Sequence, residues 1–408
     1  QKAQNIPELP SREGILELAA NGEDGVARHL ILNWLSHFPD DESGLETISL
    51  LESVDGKTKQ NGGWCKILLE KFPRNVIGLK LRLNESDDDG YSQSSDDIAL
   101  ELLQIEPSNE AALSHMTRRS MRFRDWSKAV EYSEALLRIN EADQFALLSS
   151  ARGSSALGEP ENAADLWERA HANADFSDDE IFEASRAMYN ARRFSRVIDL
   201  LHSKCENSEA TLKMMELLIR AQYSLGLSED CAKSSVKLLD SEQDNSVGLR
   251  YLSRSLIQLG RLSESIPILE KNCEVDPTSS NSWELLIETH LRMDRVDSAS
   301  EAWARLKAKS IESLQLFFAA ADVAVRFHWQ DEYEGLIENE GKMFSDRNGY
   351  IEGLARICLD VGDIARSWGL LKEHGVNPFD TGLKEEFETI FESTSATEEE
   401  LDNATGLE

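Results

Sequence analysis

Apolar and polar positions along the chain alternate in short amphipathic stripes, each about a dozen residues long, and the stripes recur in pairs. The pairs repeat every 34 residues. Setting position 1 at residues 8, 42, 76, 110, 144, 178, 212, 246, 280, 314 and 348 gives eleven units with no insertion between them. At 100° per residue, positions 4, 7, 8 and 11 of the first helix form one packing stripe, and positions 2, 5, 9, 12 and 13 fall on the opposite arc. Two columns support the frame. Position 15, the turn between the paired helices, holds Gly22, Gly56, Gly90, Gly158, Gly226, Gly260 and Gly362, with Arg124, Arg192, Asp294 and His328 in the remaining units. Glycine suits a turn that needs positive φ. Position 32 holds Pro39, Pro73, Pro107 and Pro277, where a residue unable to continue a helix is expected.

The columns resemble the tetratricopeptide repeat, whose pattern adds a small residue at position 20, an aromatic at 24 and Ala at 27. The unit at Ser280 supplies Trp283, Leu286, Ala299 and Trp303 in that pattern. The unit at Gln144 supplies Leu147, Ala151, Ala163, Trp167 and Ala170, and the unit at Ser246 supplies Leu249, Leu252, Ser253, Ser265, Leu269 and Pro277. The resemblance covers residues 8–381 and implies an all-α fold, a right-handed superhelical α-solenoid of helix–turn–helix units. Units at 42, 76 and 314 depart most, with Asn61 and Tyr333 at the small position 20. Residues 1–7 read as an N-terminal arm. Residues 382–394 read as a capping helix with Leu383, Phe387, Ile390 and Phe391 on one face, and 395–408 as an acidic flexible tail. Trp126, Trp167, Trp283, Trp303 and Trp368 are expected in the core or between repeats.

Charge narrows the function. A formal net charge of −32 and a pI near 4.6 disfavour nucleic acid and anionic membranes as partners. Five dispersed cysteines with no Cys-x-x-Cys pair point to a reducing, cytoplasmic setting rather than to zinc or redox chemistry. No apolar run is long enough for membrane insertion. The chain opens Gln-Lys-Ala-Gln and reads as a processed or excised piece. Nucleophile-elbow, phosphate-loop, zincin and dinucleotide motifs are absent, so no enzyme activity and no cofactor or metal is expected. The acidic stretch Glu85, Asp87, Asp89, Gly90, Tyr91, Gln93, Asp96 has calcium-loop spacing, but Glu leads it, Asp closes it and Ser92 replaces an apolar residue; it reads as a solvated turn.

One column remains. Position 9 holds Arg118, Arg152, Arg186, Arg220 and Arg254, then Glu288, Asp322 and Arg356. Position 13 adds Arg122, Asn190, Gln258, Arg292 and Arg326, position 5 adds Arg250, position 2 adds Lys213, and position 12 adds Tyr189 and Tyr223. The family resemblance implies that this arc lines a concave ligand groove. The expected function is a non-enzymatic interaction scaffold or adaptor that grips an extended acidic segment of a protein or peptide through arginine. The groove is expected to end near residue 280, where the column turns acidic. The alternatives are the recruiting region of a larger enzyme of glycosyltransferase or sulfotransferase type, or a binder of an anionic polymer. The structural alternative is that each arginine pairs with a carboxylate of its own chain, Glu216, Glu284 and Glu288 being at hand.

Overall fold

The computed structural model of the chain describes residues 11–54, 63–87, 93–206, 210–345 and 349–394. Every regular element among them is helical. The arm 1–7, the tail 395–408, Gly56, Gly90 and the middle of the acidic stretch lie outside the described residues, and so do the residues that open the first and last units. Helices begin at Glu42, Val76, Glu110, Gln144, Asp178, Leu212, Ser246, Ser280 and Leu314, each at position 1 of the frame. In the first unit the helix starts at Arg12, because the Ser11 hydroxyl accepts the Gly14 N–H and caps it there. In the last unit it starts at Tyr350, after Gly349 at φ 82°.

The hairpin 144–173 shows how a unit is made. The Asp143 carboxylate accepts the Ala146 N–H at 2.8 Å and starts helix Gln144–Leu157. Gly158 at φ 78° ends it, while the Glu159 N–H bonds back to the Ser154 carbonyl at 2.9 Å. Pro160 then opens helix Pro160–Asn173, where its missing N–H costs nothing. Ala151 and Ala163 are fully buried, and Trp167 closes the hairpin core at 1% exposure.

The same turn recurs without glycine. Arg124, Arg192, Asp294 and His328 take φ between 55° and 59°. In each case the following N–H reaches the carbonyl five residues back, as in Asp125 to Ser120 at 2.9 Å. Backbone hydrogen bonding therefore dictates the left-handed residue, and a side chain there is strained by roughly 1 kcal/mol. Replacing the exposed Arg124 by Gly is expected to stabilise the chain by about that amount, read as a higher midpoint in urea.

N-caps form a further column, at position 34. Asp41, Asn75, Asn109, Asp143, Ser177, Thr211, Asn245 and Ser313 each accept a main-chain N–H of the helix that follows. Each such cap is worth about 1 kcal/mol.

The helices group into two compact units that divide at Arg193/Phe194. In each, helices pack on their sequence neighbours, and first helices of successive hairpins also touch one another, as Glu110–Arg122 touches Gln144–Leu157 and Leu212–Ser224 touches Ser246–Gln258. This layering makes each unit a stretch of α-solenoid. Tyr333, the bulky residue at position 20, is accommodated at 1% exposure with Arg366 over its ring at 4.4 Å. At the C-terminal end, Leu383 and Phe387 are fully buried against Trp368 and Leu371, so helix Lys384–Thr394 covers the last hairpin.

Candidate functional site: the face of the first helices

The position-9 arginines divide by what they meet. In the N-terminal unit, Arg152 Nε donates to Glu183 Oε2 at 2.7 Å and its guanidinium lies 5.8 Å from the Trp167 ring centroid. Arg118 lies over Phe145 at 5.1 Å. Arg122 and Asn190 are exposed and Tyr189 is half-buried. Arg186 is exposed and has no ion-pair partner among the described residues. In the C-terminal unit, Arg254 Nη2 donates to Asn281 Oδ1 at 2.6 Å. Its guanidinium lies 5.9 Å from the Tyr223 ring, which packs edge-on against Tyr251 at 5.1 Å. Arg356 reaches Glu386 at 3.3 Å and the Gly382 carbonyl at 3.1 Å.

A rule runs through these contacts. A position-9 arginine followed by another repeat reaches a residue 27 or 31 positions later, which is position 2 or 6 of the next first helix, while Arg356, followed by the capping helix, reaches 26 and 30 positions on. Where that residue is Glu183 or Asn281 the cation is answered. For Arg220 the corresponding residues are Val247 and Tyr251, and it has only Glu216 of its own helix, at 4.0 Å. Glu216 is itself held by the Asn245 side-chain amide at 2.9 Å. Arg220 Nε is buried and meets no acceptor. Arg250, on the same face, has no ion-pair partner among the described residues. Helix Ser246–Gln258 carries Arg250 and Arg254 and no carboxylate. Gln258 is turned to the hairpin edge, where its Oε1 accepts the Ser228 hydroxyl at 2.6 Å.

Beyond residue 280 the same face is self-neutralised. Arg292 lies 3.8 Å from Glu288, and Arg326 lies 2.9 Å from Asp322 and 3.8 Å from Glu284. Burial lifts the Glu284 carboxyl above its ordinary range, with Asp322 and Glu288 adding to the rise and Arg326 opposing it. The expected residues therefore fall into a paired set (Arg152, Arg254 and Arg356), a half-answered Arg220, and the unanswered Arg186 and Arg250. Sequence reasoning passed over the answering residues Glu183, Asn281 and Phe145 and the ring of Tyr251. Their signal is the register of 27 or 31.

Asp96, the last residue of the calcium-like spacing, is 6% exposed and bonded to Arg119, with His115 Nε2 at 3.3 Å. Its charge is thus spent inside the fold. No group of three or more metal-ligating side chains occurs among the described residues. No helix among them is long and apolar enough to cross a membrane.

No family model matches the sequence, and no curated protein is significantly similar to it. Among solved structures, the chain is similar to YrrB, described as a TPR protein with an unusual peptide-binding site, at 8% identity and a TM-score of 0.41, over 45% of this chain and 95% of that one. It is similar to the Naa15/Naa10 structure bound to HypK-THB at 12% identity and a TM-score of 0.41, over 89% of this chain and 62% of that one. It is also similar to MamA from Desulfovibrio magneticus RS-1 at 11% identity and a TM-score of 0.37, over 40% of this chain and 92% of that one. By its period, its paired helices and its left-handed turns, the chain is a tetratricopeptide-like α-solenoid.

Proposed function

We propose that the chain is a protein-interaction scaffold, and that the first-helix face over units 212 and 246 receives an extended acidic segment of a partner. One observation carries this reading: in a protein of net charge −32, Arg250 has no ion-pair partner among the described residues and Arg220 has only Glu216 of its own helix, at 4.0 Å. Carboxylates are abundant elsewhere, so an unanswered Arg250 and a half-answered Arg220 are available to an outside anion. Arg254 and Tyr223 flank them, one adding a guanidinium and the other a flat amphipathic ring. The five free, buried thiols support a reducing, cytoplasmic setting for this activity. Burial pushes the Cys205 thiol up to about 11 and the Cys273 thiol up to about 12, which keeps both unreactive at neutral pH.

The test is fluorescence anisotropy with a labelled glutamate-rich peptide. Binding is expected to weaken at least about tenfold in Arg220→Glu/Arg250→Glu/Arg254→Glu, with helicity unchanged by circular dichroism. Binding should also fall as salt is added, since the three arginines are only half-buried and remain open to screening. Equal affinity of the folded variant and the native chain rejects the reading.

A further inference from the structure

The second helices leave a cleft on another face of the C-terminal unit. It lies between helices Phe194–Glu206, Leu212–Ser224 and Ser228–Ser241 and has a volume of about 780 Å³. Equivalent clefts recur at other steps of the array and are smaller, about 580 Å³. The repeat frame explains the difference. Position 23 is Leu30, Trp64, Ile98, Tyr132, Leu166, Leu200, Ile268, Leu336 and Leu370 in nine units, Ala302 in one, and Ser234 here. Leu166 and Ile268 line the two smaller clefts at the place where Ser234 lines the large one. The cleft therefore lacks a large apolar side chain that nearly every other unit supplies for itself.

The floor carries a second signal. Gln222 is 97% withdrawn from solvent, at 3% exposure, and lines the cleft. Its Oε1 meets no donor. A half-turn of the terminal amide lets either of its ends face the cleft without moving the rest of the side chain. Leaving such a group unmatched in the fold is costly, and an occupant with one donor relieves the cost. The walls are Ile198, Met215, Leu218 and Leu227, the last 41% exposed at the mouth. Around the rim stand Asp199, Glu206 and Asp230, each more than half exposed and each within 3.6 Å of a basic side chain of its own helix, Arg196, His202 and Lys233, of which His202 and Lys233 also line the cleft. Lys237, which also lines the cleft, donates to the carbonyls of Cys205 and Glu206 and so closes the end of helix Phe194–Glu206.

We propose that this cleft is a docking site for a tryptophan side chain of a partner protein, presented on a basic stretch. Tryptophan joins a large apolar body to a single N–H donor, which matches apolar walls over one unmatched amide. The chain fills comparable volume in its own hairpins with Trp167 and Trp303. The net charge of −32 favours basic flanks around the cleft, whose rim carboxylates are exposed enough to exchange their own-helix partners for those of a ligand. The site is independent of the arginine face and of the reading given to it.

The probe is the peptide acetyl-Lys-Lys-Trp-Lys-Lys-amide carrying 5-fluorotryptophan, titrated with the full chain and followed by 19F NMR. A saturable shift is expected below about 1 mM peptide, the weak end of specific recognition. Ser234→Leu restores the residue of the repeat and fills the cleft; it should keep or raise the melting temperature and weaken binding at least about tenfold. Leu227→Lys, at an exposed position on the rim, should weaken binding without touching the floor. The 1-methyltryptophan peptide, which keeps the shape and loses the N–H, should bind about tenfold more weakly. Equal titration of the native chain and Ser234→Leu, or the absence of a saturable shift, overturns the proposal.

Discussion

Helix Ser246–Gln258 and the two first helices after it occupy equivalent places in the repeat, yet they treat charge in opposite ways. On the first, Arg250 and Arg254 stand with no carboxylate on the helix. On Ser280–Arg292 and Leu314–Arg326, each arginine has a carboxylate within 4 Å, and position 9 itself has become Glu288 and then Asp322. Packing is common to all three, since positions 4, 7 and 11 are inward in each. The difference among the three helices is therefore one of charge and not of packing. The later helices pair each arginine with a carboxylate, whereas on the earlier one Arg254 meets the Asn281 amide and Arg250 has no ion-pair partner among the described residues.

The contrast can be broken by mutation, beginning with the strongest pair. Asp322 is 8% exposed and Arg326 Nε donates to it at 2.9 Å. Asp322→Ala strands a half-buried guanidinium and should cost about 1–3 kcal/mol in urea denaturation. A cost within experimental error would mean that the later helices are no more self-paired than the earlier one.

Glu284 sharpens the same contrast through pH. Its carboxyl is raised above the ordinary range by burial, so the folded chain holds that proton more tightly than the unfolded chain. The stabilising contribution of this group is complete below the unfolded value of about 4.3 and is lost as the pH rises through the raised value. Glu284→Gln should accordingly be more stable than the native chain at pH 7, with the gap closing as the pH falls through the raised value and gone below about 4. Melting curves across that range decide it, and a gap that widens in acid would contradict the assignment. The smallest effect belongs to Arg250→Ala. With no partner to lose, it should change stability by less than about 0.5 kcal/mol.

Much of the architecture was legible in the chain because it is written as local backbone demands repeated at a fixed interval. Gly158 and Pro160 punctuate a hairpin by φ and by a missing donor, whatever surrounds them. The left-handed turns at Arg124 and Asp294 were legible only by position, since their side chains argue for a different conformation. The N-cap column from Asp41 to Ser313 was equally available, as short polar side chains one residue ahead of each helix. The pairing of the arginine face was less legible. Arginine at position 9 looks the same at 152 and at 220. Whether it is answered depends on Glu183 or Tyr251 in the next helix, which is a property of packing between repeats. The cleft over Gln222 needed the structure as well. A serine at position 23 is unremarkable until the neighbouring helices show the volume it leaves open.

The most direct test of the contrast watches the guanidinium groups themselves. In a chain labelled with 15N-arginine, the Nε–H resonances are assigned by single Arg→Lys substitutions and followed as a glutamate-rich peptide is added. The resonances of Arg220, Arg250 and Arg254 should shift together with one binding curve, while those of Arg292 and Arg326 stay in place. Shifts confined to Arg292 and Arg326, or shared equally by all five, would contradict the assignment of the earlier helices to a partner.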